Sequence, residues 1–101
     1  MKKIELLASV HPGEVLLEEF LKPMKITPYK LAKDIHVDQI RIGQIIKKHR
    51  SVSVDTAVRL AKYFRVSAEF WLGLQQDYDL ETFKRSAGKK IEGEVRELKA
   101  A

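Results

Sequence analysis

Cysteine is absent from the 101 residues, which removes both a disulfide framework and any thiolate-held zinc site. No apolar run approaches the ~20 residues that a membrane-spanning helix needs. The opening Met1-Lys2-Lys3-Ile4-Glu5-Leu6-Leu7 is basic but has no sustained apolar region or small-residue cleavage site, so a secretory signal is not expected. A cytoplasmic setting fits these absences. The chemistry of catalysis is missing as well: there is no nucleophile beside a base, no glycine-rich phosphate loop and no paired metal-ligand histidines. His11 next to Glu14 is the one pair with acid–base character, and an entry turn to a helix explains it better. Asp77, Asp79 and Glu81 have oxygen-ligand chemistry without a full calcium-loop pattern; a solvated acidic face or a docking surface for a basic partner is the expectation. Neither a cofactor nor a metal is expected, and an enzyme is the weakest candidate.

What remains is a folded, basic chain. A hydrophobic fraction of 45% and a length of 101 residues bound one domain with a modest core. The net charge is +5, with 19 Lys and Arg against 14 Asp and Glu. Residues 27–50 hold six bases against two acids, and residues 51–84 hold four against five. Positive charge is therefore concentrated where a phosphate footprint would place it, although a solvated basic surface is the common alternative.

Four helix starts share one grammar. Ile26-Thr27, Val37-Asp38, Val52-Ser53 and Val66-Ser67 each pair an apolar residue with a side chain able to cap the following amides. Four residues beyond each cap stand Leu31, Ile42, Ala57 and Trp71, where a hydrophobic staple closes. Asp55 and Glu69 favour the dipole of their first turns, and Pro28 suits a first helical position. A further helix opens near Pro12, carries Leu16, Leu17, Phe20 and Leu21 on one stripe, and is expected to stop at Pro23. Helices are thus predicted over 13–22, 28–35, 39–47, 54–64 and 68–75. Residues 1–10 alternate as an arm or short strand, 11–84 form the domain, and 85–101 form a charged tail, mobile or ordered only against another chain.

The segment Ile26 to Arg50 reads as two short helices and a tight turn. At about 100° per residue, Ile42, Ile45 and Ile46 share the inner face of the second helix. Ile40, Gln44 and Lys47 fall on the far side, with Arg41 and Gly43 on its flanks. A helix held from behind and polar in front suits a DNA major groove. Gln39, Ile40, Arg41, Gly43, Gln44 and Lys47 are therefore the candidate base contacts, weighed against an ordinary solvent-facing surface. Thr27, Tyr29, Lys30, Lys33, Lys48, His49, Arg50 and Ser51 are candidates for phosphate, which positions a protein without specifying sequence. Phe70, Trp71, Leu74 and Tyr78 form a stripe that is core by default and is expected in part to meet a second subunit.

Taken in order, His11-Pro12-Gly13-Glu14, Tyr29-Lys30-Leu31-Ala32, Ile42 to Arg50, Asp55-Thr56-Ala57-Val58-Arg59-Leu60-Ala61 and Glu69-Phe70-Trp71-Leu72 through Tyr78-Asp79-Leu80 carry a family pattern. On these motifs the chain resembles the HigA (virulence-associated protein I) group of Xre/Cro-like helix-turn-helix proteins over about residues 11–80. His36 and Lys48 stand where that group usually has glycine. The resemblance implies an all-α, five-helix, lambda-repressor-like domain that binds double-stranded DNA. It implies a homodimer on a palindromic operator, repression of its own operon, and a HigB-like, RNA-cleaving toxin of the RelE class as protein partner. A stand-alone repressor without a toxin, or an interaction module whose basic patch meets an acidic protein, are the other readings.

Overall fold

A computed structural model describes residues 9–99. The expected N-terminal arm or strand lies outside them except for Ser9 and Val10, which adopt neither helix nor strand. Among the described residues the regular elements are all helical, in five helices as expected. Helix α1 combines Pro12–Val15, a π-helical stretch Leu16–Leu21 and Lys22–Met24. It is followed by α2 (Pro28–Ile35), α3 (Gln39–Ile46), α4 (Val54–Phe64) and α5 (Ala68–Glu94).

The caps fall where the local chemistry puts them. Thr27 accepts from the Lys30 amide at 3.0 Å, Asp38 from Ile40 at 2.7 Å, Ser53 from Thr56 at 3.2 Å and Ser67 from Phe70 at 3.1 Å. Each satisfies an amide that the first turn leaves without an intrahelical acceptor. The residues four positions on, Leu31, Ile42, Ala57 and Trp71, are all buried. They meet Leu16, Leu21, Ile45 and Leu60 in one core.

Two helix ends differ from expectation. Pro23 does not stop α1; the helix runs to Met24 and closes at a left-handed Lys25. The reason lies upstream, where the Lys22 amide reaches the Leu17 carbonyl, five residues back. That wider turn relieves the contact between a proline ring and the preceding carbonyl that breaks a tight α-helix. Helix α5 continues past residue 75 to Glu94, so the boundary expected between 84 and 85 falls inside it. Its 27 residues make a rod of ~40 Å at 1.5 Å per residue, and the molecule is accordingly elongated, 55 × 27 × 24 Å.

The entry to α1 is locked by His11-Pro12-Gly13. His11 is 3% exposed, and its Nδ1 accepts from the Gly13 amide at 2.9 Å. A Cβ on Gly13 would lie 1.8 Å from the carbonyl oxygen of Ile45 in α3. Glycine is needed here because the start of α1 touches the backbone of the helix that carries the candidate site. Left-handed backbone elsewhere is met without glycine: Lys25, His36, Lys48 and Arg65 have φ of 57°, 60°, 67° and 61°, at a cost of about 1–2 kcal/mol each.

Candidate nucleic-acid interface

Helices α2 and α3 meet through a turn centred on His36. The His36 amide donates to the Lys33 carbonyl at 3.3 Å and the Val37 amide to the Ala32 carbonyl at 3.0 Å, which satisfies the last carbonyls of α2 and reverses the chain. Arg59 of α4 adds a third fastening, its Nη1 donating to the Ile35 carbonyl at 2.8 Å. The turn that usually carries glycine in the resembling group thus holds a left-handed histidine, pinned from behind by a guanidinium.

Ile42 and Ile45 hold α3 onto the core and Ile46 is half-buried. The opposite face is open: Gln39, Gln44 and Lys47 are exposed, and Ile40 keeps 65% of its surface in solvent. Gly43 lies between these residues, and beyond its own helix backbone and chain neighbours no atom of the described residues stands within 4 Å of where its Cβ would be. Packing among the described residues therefore gives no reason for that glycine. The side chains assigned to bases share this face with one qualification. Arg41 turns toward α4, where its Nη1 donates to Asp55 Oδ2 at 2.9 Å and to Thr56 Oγ1 at 3.2 Å.

The residues assigned to phosphate lie at and along α2 and in the stretch after α3. Thr27 caps α2, while Tyr29 and Lys33 project into solvent. Lys30 is paired with Asp34 at 2.9 Å, and that carboxylate also accepts from the Tyr63 hydroxyl at 2.7 Å. The Tyr63 hydroxyl and the Lys30 ammonium hold the Asp34 carboxyl below its ordinary range, and the same contacts raise Lys30 and Tyr63. Beyond α3, Lys48 reaches back to Glu14 of α1 at 3.0 Å, a contact that raises its own pKa. Arg50 donates from Nη1 to Gln44 Oε1 at 3.3 Å, and His49 and Ser51 are exposed. These pairs sit in solvent and add little to stability; their consequence is that Lys33 and Lys47 have no acid partner within 4 Å among the described residues.

Two assignments on α5 need correction. Trp71 is not an interface residue of the folded chain: it is 0% exposed, tilted against Phe20 at 5.0 Å and edge-on to Phe70 at 5.1 Å. Tyr78 is half-buried with its ring edge-on to His11 at 4.8 Å, and Leu74 is half-buried as well. Phe70 alone of the four retains substantial exposure. The apolar surface left open lies further along, at Leu80, Phe83 and Ile91. Nor do Asp77, Asp79 and Glu81 form one acidic side, because at about 100° per residue Asp79 points away from the other two. Asp79 accepts from Gln75 at 2.9 Å, and Glu81 pairs with Arg85 at 3.5 Å.

Sequence reasoning missed Asp55, Thr56 and Arg59 as parts of this unit. Asp55 has a local signal, its place in the first turn of α4, but none for a contact with Arg41 fourteen residues earlier. Gln75 was missed too; buried in α5, it accepts from the Val52 amide through Oε1 at 2.8 Å and so ties the loop after α3 to the core.

The helix-turn-helix family model matches residues 17–71. Virulence-associated protein I of Dichelobacter nodosus is 47% identical over 73 residues, covering 72% of this chain and 68% of that protein. Antitoxin HigA-1 of Vibrio cholerae is 35% identical over 71 residues, covering 70% and 67%. The chain thus spans about two thirds of these curated relatives. Among solved structures, the Pseudomonas aeruginosa antitoxin HigA with the higBA promoter superposes with a TM-score of 0.86 at 41% identity, over 89% of this chain and 98% of that one.

Proposed function

Because this chain belongs to the HigA group of the helix-turn-helix family, we propose that it is a DNA-binding antitoxin that represses its own operon and neutralises a HigB-like, RNA-cleaving toxin. It acts as a regulator in the cytoplasm and not as an enzyme. The observation that carries the reading is α3 itself, fixed from behind by Ile42 and Ile45 and open in front at Gln39, Ile40, Gln44 and Lys47. Amide side chains suit adenine, a guanidinium suits guanine O6 and N7, and an exposed isoleucine suits a thymine methyl. Gly43, with nothing around its missing Cβ, lets the groove edge approach the helix backbone. Lys33, His49, Arg50 and the cap at Thr27 flank this helix and supply phosphate contacts.

One short helix reads few base pairs, so a homodimer on a palindromic operator completes the proposal, its two copies of α3 about 34 Å apart. The exposed apolar residues of α5 provide the pairing surface. A basic toxin avoids the α2–α3 face by like-charge repulsion. The test is binding to duplexes from the chain's own upstream region. Gln44→Ala is expected to weaken the operator by about 1–3 kcal/mol and to relax base preference. Lys33→Ala is expected to weaken all duplexes alike and to flatten the salt dependence. Equal losses on operator and random duplex for both variants reject the assignment. Co-purification with a tagged product of the neighbouring reading frame separates an antitoxin from a repressor that has no toxin.

A further inference from the structure

We infer that Asp55 is a specificity-determining residue: from the first turn of α4 it fixes the Arg41 guanidinium in the orientation in which it meets a base. The inference rests on the proposal that α3 reads DNA. An arginine on a helix surface ordinarily samples many rotamers, and each presents its donors differently. Arg41 is held instead. Its Nη1 spends one N–H on Asp55 Oδ2 at 2.9 Å and has Thr56 Oγ1 at 3.2 Å, and its side chain is only 28% exposed.

The carboxylate that holds it is itself held. Asp55 Oδ2 also accepts from Arg59 Nε at 2.9 Å, and Arg59 Nη1 donates to the Ile35 carbonyl at 2.8 Å, at the end of α2. The Arg59 and Arg41 guanidinium groups hold the Asp55 carboxyl below its ordinary range. Thr56, the second anchor, is buried, and its hydroxyl is within 3.2 Å of Ser53 Oγ. Helices α2, α3 and α4 therefore meet on one charged chain, Arg41–Asp55–Arg59, that no single helix could assemble.

A guanidinium has five N–H donors in a rigid fork. With Nη1 committed to α4, the Nε–Nη2 edge is left free, and two parallel donors are what guanine O6 and N7 require. The same carboxylate opposes phosphate on its own account. Asp55 thus improves the correct contact and penalises incorrect ones, the two ways a specific surface discriminates.

The experiment uses the full chain, its operator duplex, every single-base-pair variant of that duplex and a random duplex. Arg41→Ala first identifies the base pair that Arg41 reads. Asp55→Asn is then expected to lower discrimination at that base pair by about tenfold, within the range of one good base contact. Its affinity for random duplex is expected to stay level or rise, and the double variant with Arg41→Ala to match Arg41→Ala alone. Thr56→Val, which keeps shape and removes the second anchor, should show a smaller loss at the same base pair, and it serves as the readout if Asp55→Asn lowers the melting temperature. Full discrimination retained by both variants, or a uniform loss on all duplexes, overturns the inference. If Arg41→Ala leaves base preference unchanged everywhere, what fails is the reading of Arg41 as a base contact, and the role of Asp55 falls with it.

Discussion

The two halves of α5 are one continuous helix with opposite loyalties. From Ala68 to Tyr78 the apolar residues other than Phe70 turn inward: Trp71 is sealed among Phe20, Phe64 and Phe70, and Tyr78 lies against His11. From Leu80 onward they turn outward, with Phe83 54% exposed and Leu80 and Ile91 also open to solvent. At about 100° per residue, Leu80, Phe83 and Ile91 stand roughly half a turn around the helix from Trp71. The first half belongs to the domain that holds the recognition unit, and the second offers an apolar surface that nothing among the described residues covers. A backbone hydrogen-bond ladder says nothing about which side a helix will bury. Side-chain phase decides that, and here the phase changes within one element.

The largest effect that would sharpen this contrast is expected at Trp71. Trp71→Ala should cost about 3–5 kcal/mol in chemical denaturation, the range for deleting a large buried aromatic. Trp71→Phe should cost clearly less, because it keeps most of the apolar contact and removes an indole N–H that has no hydrogen-bond partner among the described residues. A loss below about 1 kcal/mol for Trp71→Ala would mean that the inward half is not core.

Next in size is the pH response of the contact between that half and α1. Burial and the nearby Lys48 charge push the pKa of His11 below its ordinary value of 6.5, while Asp79, the Arg50 backbone and Glu14 pull the other way. Its Nδ1 must also stay unprotonated to accept from Gly13. The folded chain therefore binds fewer protons at this site than the unfolded chain. The resulting stability is present above 6.5 and drains away as pH falls from there through the lowered folded value. Melting curves between pH 7.5 and 5 should show a decline that His11→Asn, which keeps a capping side chain, reduces. An identical decline in the variant would place the pH sensitivity elsewhere.

The smallest effect on folding is expected in the outward half. Phe83→Asp with Ile91→Asp should leave monomer stability within about 0.5 kcal/mol, as for surface sites away from special features. The same pair should abolish self-association in analytical ultracentrifugation and weaken operator binding through loss of the second copy. A dimer of undiminished strength would move the pairing surface off α5.

Legibility followed the range of the interaction that decides each feature. The caps at Thr27, Asp38, Ser53 and Ser67 and the staples behind them act within four residues, so their side chains announce them in the chain. The inward Ile42 and Ile45 and the outward Ile40, Gln44 and Lys47 follow from one helical period. His36 and Lys48 could be named as departures from glycine, and both take the left-handed backbone that glycine would have taken more cheaply. The sequence places a stop at Pro23 because a proline breaks a tight helix, whereas the π-helical stretch before it has room for the ring. The inward apolar stripe of α5 ends near Tyr78, and nothing local to the sequence marks the helix's continuation to Glu94.

The helical grammar, the concentration of positive charge on residues 27–50 and the buried face of α3 follow from residues near one another along the chain. That Arg41 answers to Asp55, that Asp55 is shared with Arg59, that Trp71 is spent inside the domain and that Gly13 lies against the Ile45 carbonyl emerge only in the assembled fold. Those outcomes depend on how separate helices cross. A crossing is set by the packing of many side chains at once, and no short stretch of sequence carries it.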